Sequence, residues 1–443
     1  MSAQCAVQQR FSFRQDREIC LDFAGGQITS DAGLIALREF DHLIGFTQSI
    51  VERLRDDRHP GYIVHALFAV VIQRLYAIIA GYEDQNDADL LRHDGLFQLI
   101  AGKPDLGDEL ASQPTMSRFE NAVSATEVGA LNELLVESFI DNTERAPMLI
   151  IELDSTDDPA HGQQQLVGFN GFHRQWMYHP LVIHEGVTGA ILGTFLRPGD
   201  AHSSESALIA LRPIVRRLKE AFAHAPIYLR ADSGFAGPKL YEFCEGEDIG
   251  FTIAAACNAV FKRHTDELQQ QAVEQYQATG AKARLYDHFA HQAQSWEHQF
   301  RVIAKAEAGA EGLNRRFVIS NRPGDAHRLF EFYAARGQHE NMIKELKLDL
   351  KADRLSCHRF EANCFRLVLF ALAYQLLNLF RRRLRNPALR QATVGTLRER
   401  LFQVGALLRQ STRRFWLHLS SGWPNRELLR QAMADVGAQP APG

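Results

Sequence analysis

The spacing of apolar residues divides the chain into stretches of different character. Over residues 30–128 they recur every three or four positions, in 32–40, 63–82 and 87–99, with few β-branched runs, which predicts a helical N-terminal region. Within it, DELASQPTMSRFENAV predicts a short helix, a turn at Gln113-Pro114, and a second helix with Pro114 at or near its first position. Such a pair is compatible with helix-turn-helix DNA reading, but pairs of this kind are common in plain helical packing, which is the more frequent role. After Pro147 the pattern changes to short apolar β runs: MLIIELDS, MYHPLVIHEG, AILGTFLRPG, PIYLRADSG and IGFTIAAA, with helices predicted over 203–223 and 238–246. The order of three strands, helix, strand, helix, strand implies a mixed α/β sheet whose last two strands are parallel.

Residues 258–315 are rich in Gln, His and Lys, with weak strand signals at 283–289 and 298–304; they read as an insertion carrying its own small sheet. RRFVISN then restores a buried strand, 326–350 reads as a helix, and 358–385 and 396–419 as a helical, arginine-rich end. The expected organisation is an N-terminal helical DNA-binding domain (1–147), an α/β catalytic domain (148–256 with 316–350), a β-rich insertion (257–315) and a basic helical C-terminal region (351–443).

Charge sharpens this picture. The net charge is only −4, yet residues 342–443 hold 18 Lys and Arg against 7 Asp and Glu, a local +11 that leaves −15 for the rest. That asymmetry suits a polyanionic partner at one end, and equally a solvated helical surface. The six cysteines form no CxxC pair and no Cys/His metal spacing, so neither zinc nor a disulfide framework is indicated. MSAQCAVQQRFSFRQ lacks the apolar core of a signal peptide, and the apolar run 365–380 is short for a bilayer and carries Arg366, Gln375 and Asn378. A buried helix and a reducing cytoplasm are expected, with no membrane partner.

Three acids carry the candidate chemistry. Asp154 ends LIIELD and Asp232 ends IYLRAD, each followed by Ser and a turn. Either alone reads as a turn former or helix cap. Repeated at the same end of neighbouring strands, the two converge at the edge where α/β sheets bind ligands. A hard divalent cation would let both ionise. On the predicted helix after the insertion, Tyr333, Arg336, Glu340 and Lys347 fall within a wedge of roughly 60°. Gly337 is a weak point there, costing about 1 kcal/mol relative to Ala. Lys344, Glu345 and Asp349 read as surface charges. Two metal ions bridged by carboxylates can activate water or a 3′-hydroxyl and stabilise the leaving oxygen of a phosphodiester, with Arg336 and Lys347 holding phosphates.

At these residues the chain resembles the bacterial insertion-sequence DDE transposases, which have a ribonuclease-H-like catalytic domain. Tyr333-x2-Arg336-x3-Glu340-x6-Lys347 matches the Tyr, Arg, Glu, Lys signature of members with a β-rich insertion before the glutamate, and LDSTDD, YHPL (residues 178–181) and RADSGF are similar to that group. The resemblance runs from about residue 23 to 385. It implies Asp154, Asp232 and Glu340 as catalytic metal ligands, two Mg2+ or Mn2+ ions, and DNA contacts by Tyr333, Arg336 and Lys347. It further implies cut-and-paste transposition by hydrolysis and strand transfer, terminal inverted repeats and target DNA as double-stranded partners, a synaptic homodimer or higher multimer, and a bacterial cytoplasmic, nucleoid-associated location. Asp157 and Asp158 stand close enough to Asp154 that one of them is an alternative ligand. His161, His173, His179 and His184 are irregularly spaced and fit ordinary polar or packing roles. A metal-dependent nuclease of the same fold and a non-catalytic, domesticated DNA-binding protein are the competing functions.

Overall fold

The structure is a computed structural model that describes residues 9–437 apart from His161, Glu205, His339 and the side chain of Gln338. By internal packing the chain forms two compact units, Met1–Phe119 with Leu379–Gly443, and Glu120–Asn378. The segment expected as an N-terminal domain, 1–147, thus contributes to both units, as does the C-terminal segment 351–443.

The second unit is built on an eight-stranded mixed sheet of β1 (Leu149–Ser155), β2 (Leu181–Glu185), β3 (Ile191–Phe195), β4 (Ile227–Ala231), β5 (Gly250–Ala255), β6 (Ala283–His291), β7 (Phe300–Gly309) and β8 (Gly312–Ser320). The spatial order is β6-β7-β8-β5-β4-β1-β2-β3. β4 runs parallel to both β1 and β5, and every other neighbouring pair is antiparallel. The five strands expected after Pro147 therefore form the centre and one end of the sheet. The insertion is different from the expectation. Its strands do not make a separate sheet, because β7 pairs from Arg301 to Gly309 with β8, the strand that contains RRFVIS, and so extends the main sheet.

Alternation along the central strands decides what each face carries. Leu149, Ile151 and Leu153 of β1, Leu229 and Ala231 of β4, and Phe251 and Ile253 of β5 point to one face. There they meet Leu211, Ile214 and Leu218 of the helix Ala207–Ala221, Leu240 and Tyr241 of Pro238–Gly246, and Val136 and Phe139 of Ala125–Asp141. Truncating a residue such as Leu153 to Ala would cost about 2–5 kcal/mol. On the opposite face Ile303 and Val318 pack against Leu329 and Phe330 of the helix Ala326–Ala334.

In the first unit, helices such as Leu34–Ile44 and Leu67–Ala80 accompany a three-stranded sheet of Gln27–Thr29, β9 (Ala406–Ser411) and β10 (Arg414–Leu419), with β9 in the middle. This corrects the helix expected over 396–419. After the short turns Val394–Leu397 and Arg398–Phe402 the chain becomes a β-ribbon, because β9 pairs with Gln27–Thr29 from far away in sequence. Gly33 is required here, since a Cβ at that position would lie 1.7 Å from the Leu401 carbonyl oxygen. Of the expected helix pair near Pro114 only Gln113–Ala122 forms; residues 108–112 are irregular. Helix Phe360–Arg383 is 24 residues long, longer than the apolar run alone suggests and long enough to cross a membrane, yet 94% of its most apolar stretch is buried within the protein. Cys20, Cys244, Cys257, Cys357 and Cys364 are free thiols, and Cys5 lies outside the described residues.

Candidate active site

The face of β1 turned away from the apolar core carries Glu152 and Asp154. Glu152 lies directly opposite His184 of β2 and Arg230 of β4, so three buried polar side chains make one rung across three strands. Arg230 forms an ion pair with Glu152, donates to the Phe332 carbonyl at 2.7 Å, and sits over the Phe332 ring. His184 Nε2 stands 3.2 Å from Glu152 Oε2, and burial pushes its pKa down to about 4, so near neutral pH the imidazole is uncharged. Of the four histidines assigned ordinary polar roles, His184 has a buried structural one, and His161 lies outside the described residues.

Asp154 occupies the next position on this face. It is 6% exposed, and Oδ1 accepts a 2.5 Å bond from Arg336 Nη1 while Oδ2 is buried with no hydrogen-bond partner. Burial raises the Asp154 pKa, and the Arg336 guanidinium opposes the rise only in part, with Asp232 adding to it. Burial disfavours the Arg336 cation, but Asp154, Tyr333 and Asp232 outweigh that and hold its pKa above the ordinary guanidinium value. Because Ala231 pairs with Leu153, Asp232 emerges beside Asp154 at the same sheet edge. Its Oδ1 accepts the Gly234 N–H at 2.8 Å and caps the turn Ser233–Phe235. A side chain at 234 would strike Ser203, since its Cβ would lie 2.8 Å from Ser203 Oγ, and this explains the glycine of RADSGF.

Arg197, 4% exposed, was not singled out by the sequence reading. It donates to Ser155 Oγ at 2.8 Å, to the His179 carbonyl at 2.8 Å and to the Ser203 carbonyl at 2.7 Å, tying the end of β1 to the loop beside Asp232. The only sequence signal was an arginine among apolar residues at the end of AILGTFLRPG. Glu152 and Arg230 announced themselves similarly, as charges inside strands that are otherwise apolar.

The segment bearing the four-residue signature is not one continuous α-helix. Ala326–Ala334 is α-helical, Ala335–Gln338 is a 3-10 turn, Glu340–Lys344 is α-helical, and Glu345–Asp349 is a π turn. The break falls at Gly337, where a helix is weakest. Tyr333 packs beside Phe330, and Lys347 Nζ bonds both the carbonyl and Oδ1 of Asp157 at 2.8 Å. Glu340 is exposed, and among the described residues no three Asp, Glu, His or Cys side chains gather closely enough to hold a metal ion. The structure therefore brings Asp154, Asp232 and Arg336 together and leaves Glu340 outside that group.

The two acids after Asp154 have unlike environments. Burial pushes the Asp157 carboxyl up, but Lys347 more than offsets this and holds it below the ordinary carboxylate value. Asp158 is 2% exposed with neither carboxylate oxygen hydrogen-bonded, and burial, with Asp353 and Asp157 nearby, pushes its pKa up to about 9. In the unfolded chain the same carboxyl titrates near pH 4. Between those values unfolding releases its proton, so its contribution to stability declines as pH climbs from about 4 through about 9. Melting curves between pH 7 and 9, above the His184 transition, should therefore fall more steeply for the wild type than for Asp158→Asn. Parallel curves would show that Asp158 does not titrate in this way.

A family model described as "Transposase DDE domain group 1" matches residues 11–440. The chain belongs to the DDE-domain transposases of this group. As a DDE-family chain it falls in a class of metal-dependent nucleic-acid nucleases and transferases. No curated protein matches it. Among solved structures, a piggyBac transposase in a synaptic complex with hairpin DNA is similar at 9% identity and TM-score 0.47, over 93% of this chain and 86% of that one.

Proposed function

We propose that this DDE-family chain cuts and joins double-stranded DNA at the edge formed by the ends of β1 and β4. It would act as a cut-and-paste transposase of the bacterial insertion-sequence type on terminal inverted repeats and target DNA, as a homodimer or higher multimer associated with the nucleoid. The observation that carries the reading is the placement of Asp154 and Asp232 side by side at the ends of adjacent parallel strands, with Arg336 bonded to Asp154 and within electrostatic reach of Asp232. The order β3-β2-β1-β4-β5, with three antiparallel strands followed by two parallel ones, supports a ribonuclease-H-like core, and β6 and β7 then stand where a β-rich insertion would extend it.

Asp154 and Asp232 suit a hard divalent cation, because both donors are carboxylate oxygens and Asp154 Oδ2 is buried without a partner. These two residues would hold Mg2+ or Mn2+, two ions in all, with Glu340 as third ligand supplied from the broken helical segment. When bound, such ions polarise the phosphodiester and lower the pKa of the attacking hydroxyl. Arg336 balances the acids and offers a planar guanidinium to phosphate. Tyr333 and Lys347 would contact the DNA end, and the bonds from Lys347 to Asp157 support a role for Asp157 in positioning this ammonium.

The test is a strand-transfer assay with a precut element end, a second DNA and Mg2+. Joined product is expected, and its loss on chelation. Cleavage without joining would favour a nuclease, and no reaction under any metal would leave only a DNA-binding role.

A further inference from the structure

The ribbon β9–β10 has two unlike faces. Register places Leu407, Arg409 and Ser411 opposite His418, Trp416 and Arg414, so these six share one face, while Ala406, Leu408 and Gln410 share the other with Leu419, Leu417 and Phe415. Ala406 and Leu408 on the second face are buried, and Gln410 accepts the Leu106 N–H at 2.8 Å, so that face is the packed one. On the first face Arg409, Arg414, Trp416 and His418 are exposed; the Trp416 and His418 rings stack with planes 3° apart, and the Arg414 guanidinium lies 5.7 Å over the Trp416 ring. Arg413, in the turn between the strands, is exposed as well. No Asp or Glu occurs from residue 400 to 426, and none of Arg409, Arg413 and Arg414 is in an ion pair among the described residues.

Three guanidiniums without a countercharge beside an exposed aromatic stack form a surface complementary to a polyanion. A two-stranded antiparallel ribbon also has the width that the major groove of duplex DNA admits. We infer that the outer face of β9–β10 is a DNA-docking surface that takes a duplex, with Arg409, Arg413 and Arg414 on its phosphates and Trp416 against the sugar or base edge. The inference rests on the reading of the chain as a DNA transposase and adds a contact surface built from the first unit's own residues.

The experiment titrates full-length protein against a fluorescent duplex of arbitrary sequence over a range of salt concentrations. Arg409→Ala, Arg413→Ala and Arg414→Ala combined should weaken binding by more than about tenfold at 0.1 M salt and reduce the slope of log K against log salt by about 2.7 if each arginine neutralises one phosphate. The corresponding lysine substitutions should restore the slope, and a wild-type melting temperature in both variants shows that the fold is intact. An unchanged slope and affinity in the triple alanine variant, or a loss confined to single-stranded RNA, overturns the inference. If the wild type binds and cuts DNA while the variant binds equally well, the ribbon assignment alone falls; if the wild type binds no duplex, the transposase reading falls with it.

Discussion

Asp232→Asn is expected to reduce metal-dependent cleavage and strand transfer by on the order of a thousandfold while leaving duplex affinity and melting temperature close to wild type. Asparagine keeps the oxygen that accepts the Gly234 N–H, so the turn Ser233–Phe235 survives. What it removes is the negative charge that a divalent cation requires, and metal stabilisation of a phosphoryl transition state is worth several kcal/mol, at about 1.4 kcal/mol per tenfold in rate. Glu340→Gln should give a similar loss of activity with even less effect on stability, because Glu340 is exposed. Single-turnover cleavage measured beside thermal melts separates these effects. Full activity in both variants would remove the acids from the mechanism.

The second large effect is on stability. Glu152→Gln, or Arg230→Met, should each destabilise the protein by about 3–5 kcal/mol, because either change leaves the other partner as an uncompensated charge in the interior. Glu152 is fully buried and Arg230 is 3% exposed, so water cannot take the place of the missing group. For a unit of this size the melting temperature should drop by roughly 10 °C. Replacing both together by apolar residues of similar volume should recover much of the loss, as buried pairs exchanged for well-packed side chains often do. Calorimetry on the two single variants and the double one makes the comparison. Single changes costing less than about 1 kcal/mol would mean that the rung is not a structural ion pair.

Much of the sheet was legible because its strands obey local rules. LIIELD and IYLRAD are short apolar runs that end in Asp and a turn, so the strands and the emergence of Asp154 and Asp232 at one edge followed from pattern alone. Residues 396–419 were not legible. Leu397, Leu401, Val404 and Leu408 recur at helical spacing, and the strand they end in is specified by Gln27–Thr29, a partner no local window contains. The sheet's extension by β6 and β7 was hidden likewise, since weak strand signals say nothing about which edge a strand will join. In the candidate site, spacing could place Tyr333, Arg336, Glu340 and Lys347 on one face only by assuming an unbroken helix. The 3-10 and π turns on either side of Glu340 replace that face, leaving Arg336 on Asp154 and Lys347 on Asp157.

The pairing of Gln27–Thr29 with Ala406–Leu408, and the close approach of Gly33 to Leu401, have a consequence for biogenesis. A ribosome completes every strand of the large sheet before it has made residue 400, so the acidic edge can assemble while the basic ribbon is still unsynthesised. The strand Gln27–Thr29, close to the first helices in sequence, must wait without its partner until residues 406–411 arrive. A message cut short after the sheet would therefore encode the strands that end in Asp154 and Asp232 but not the strand that pairs with Gln27–Thr29.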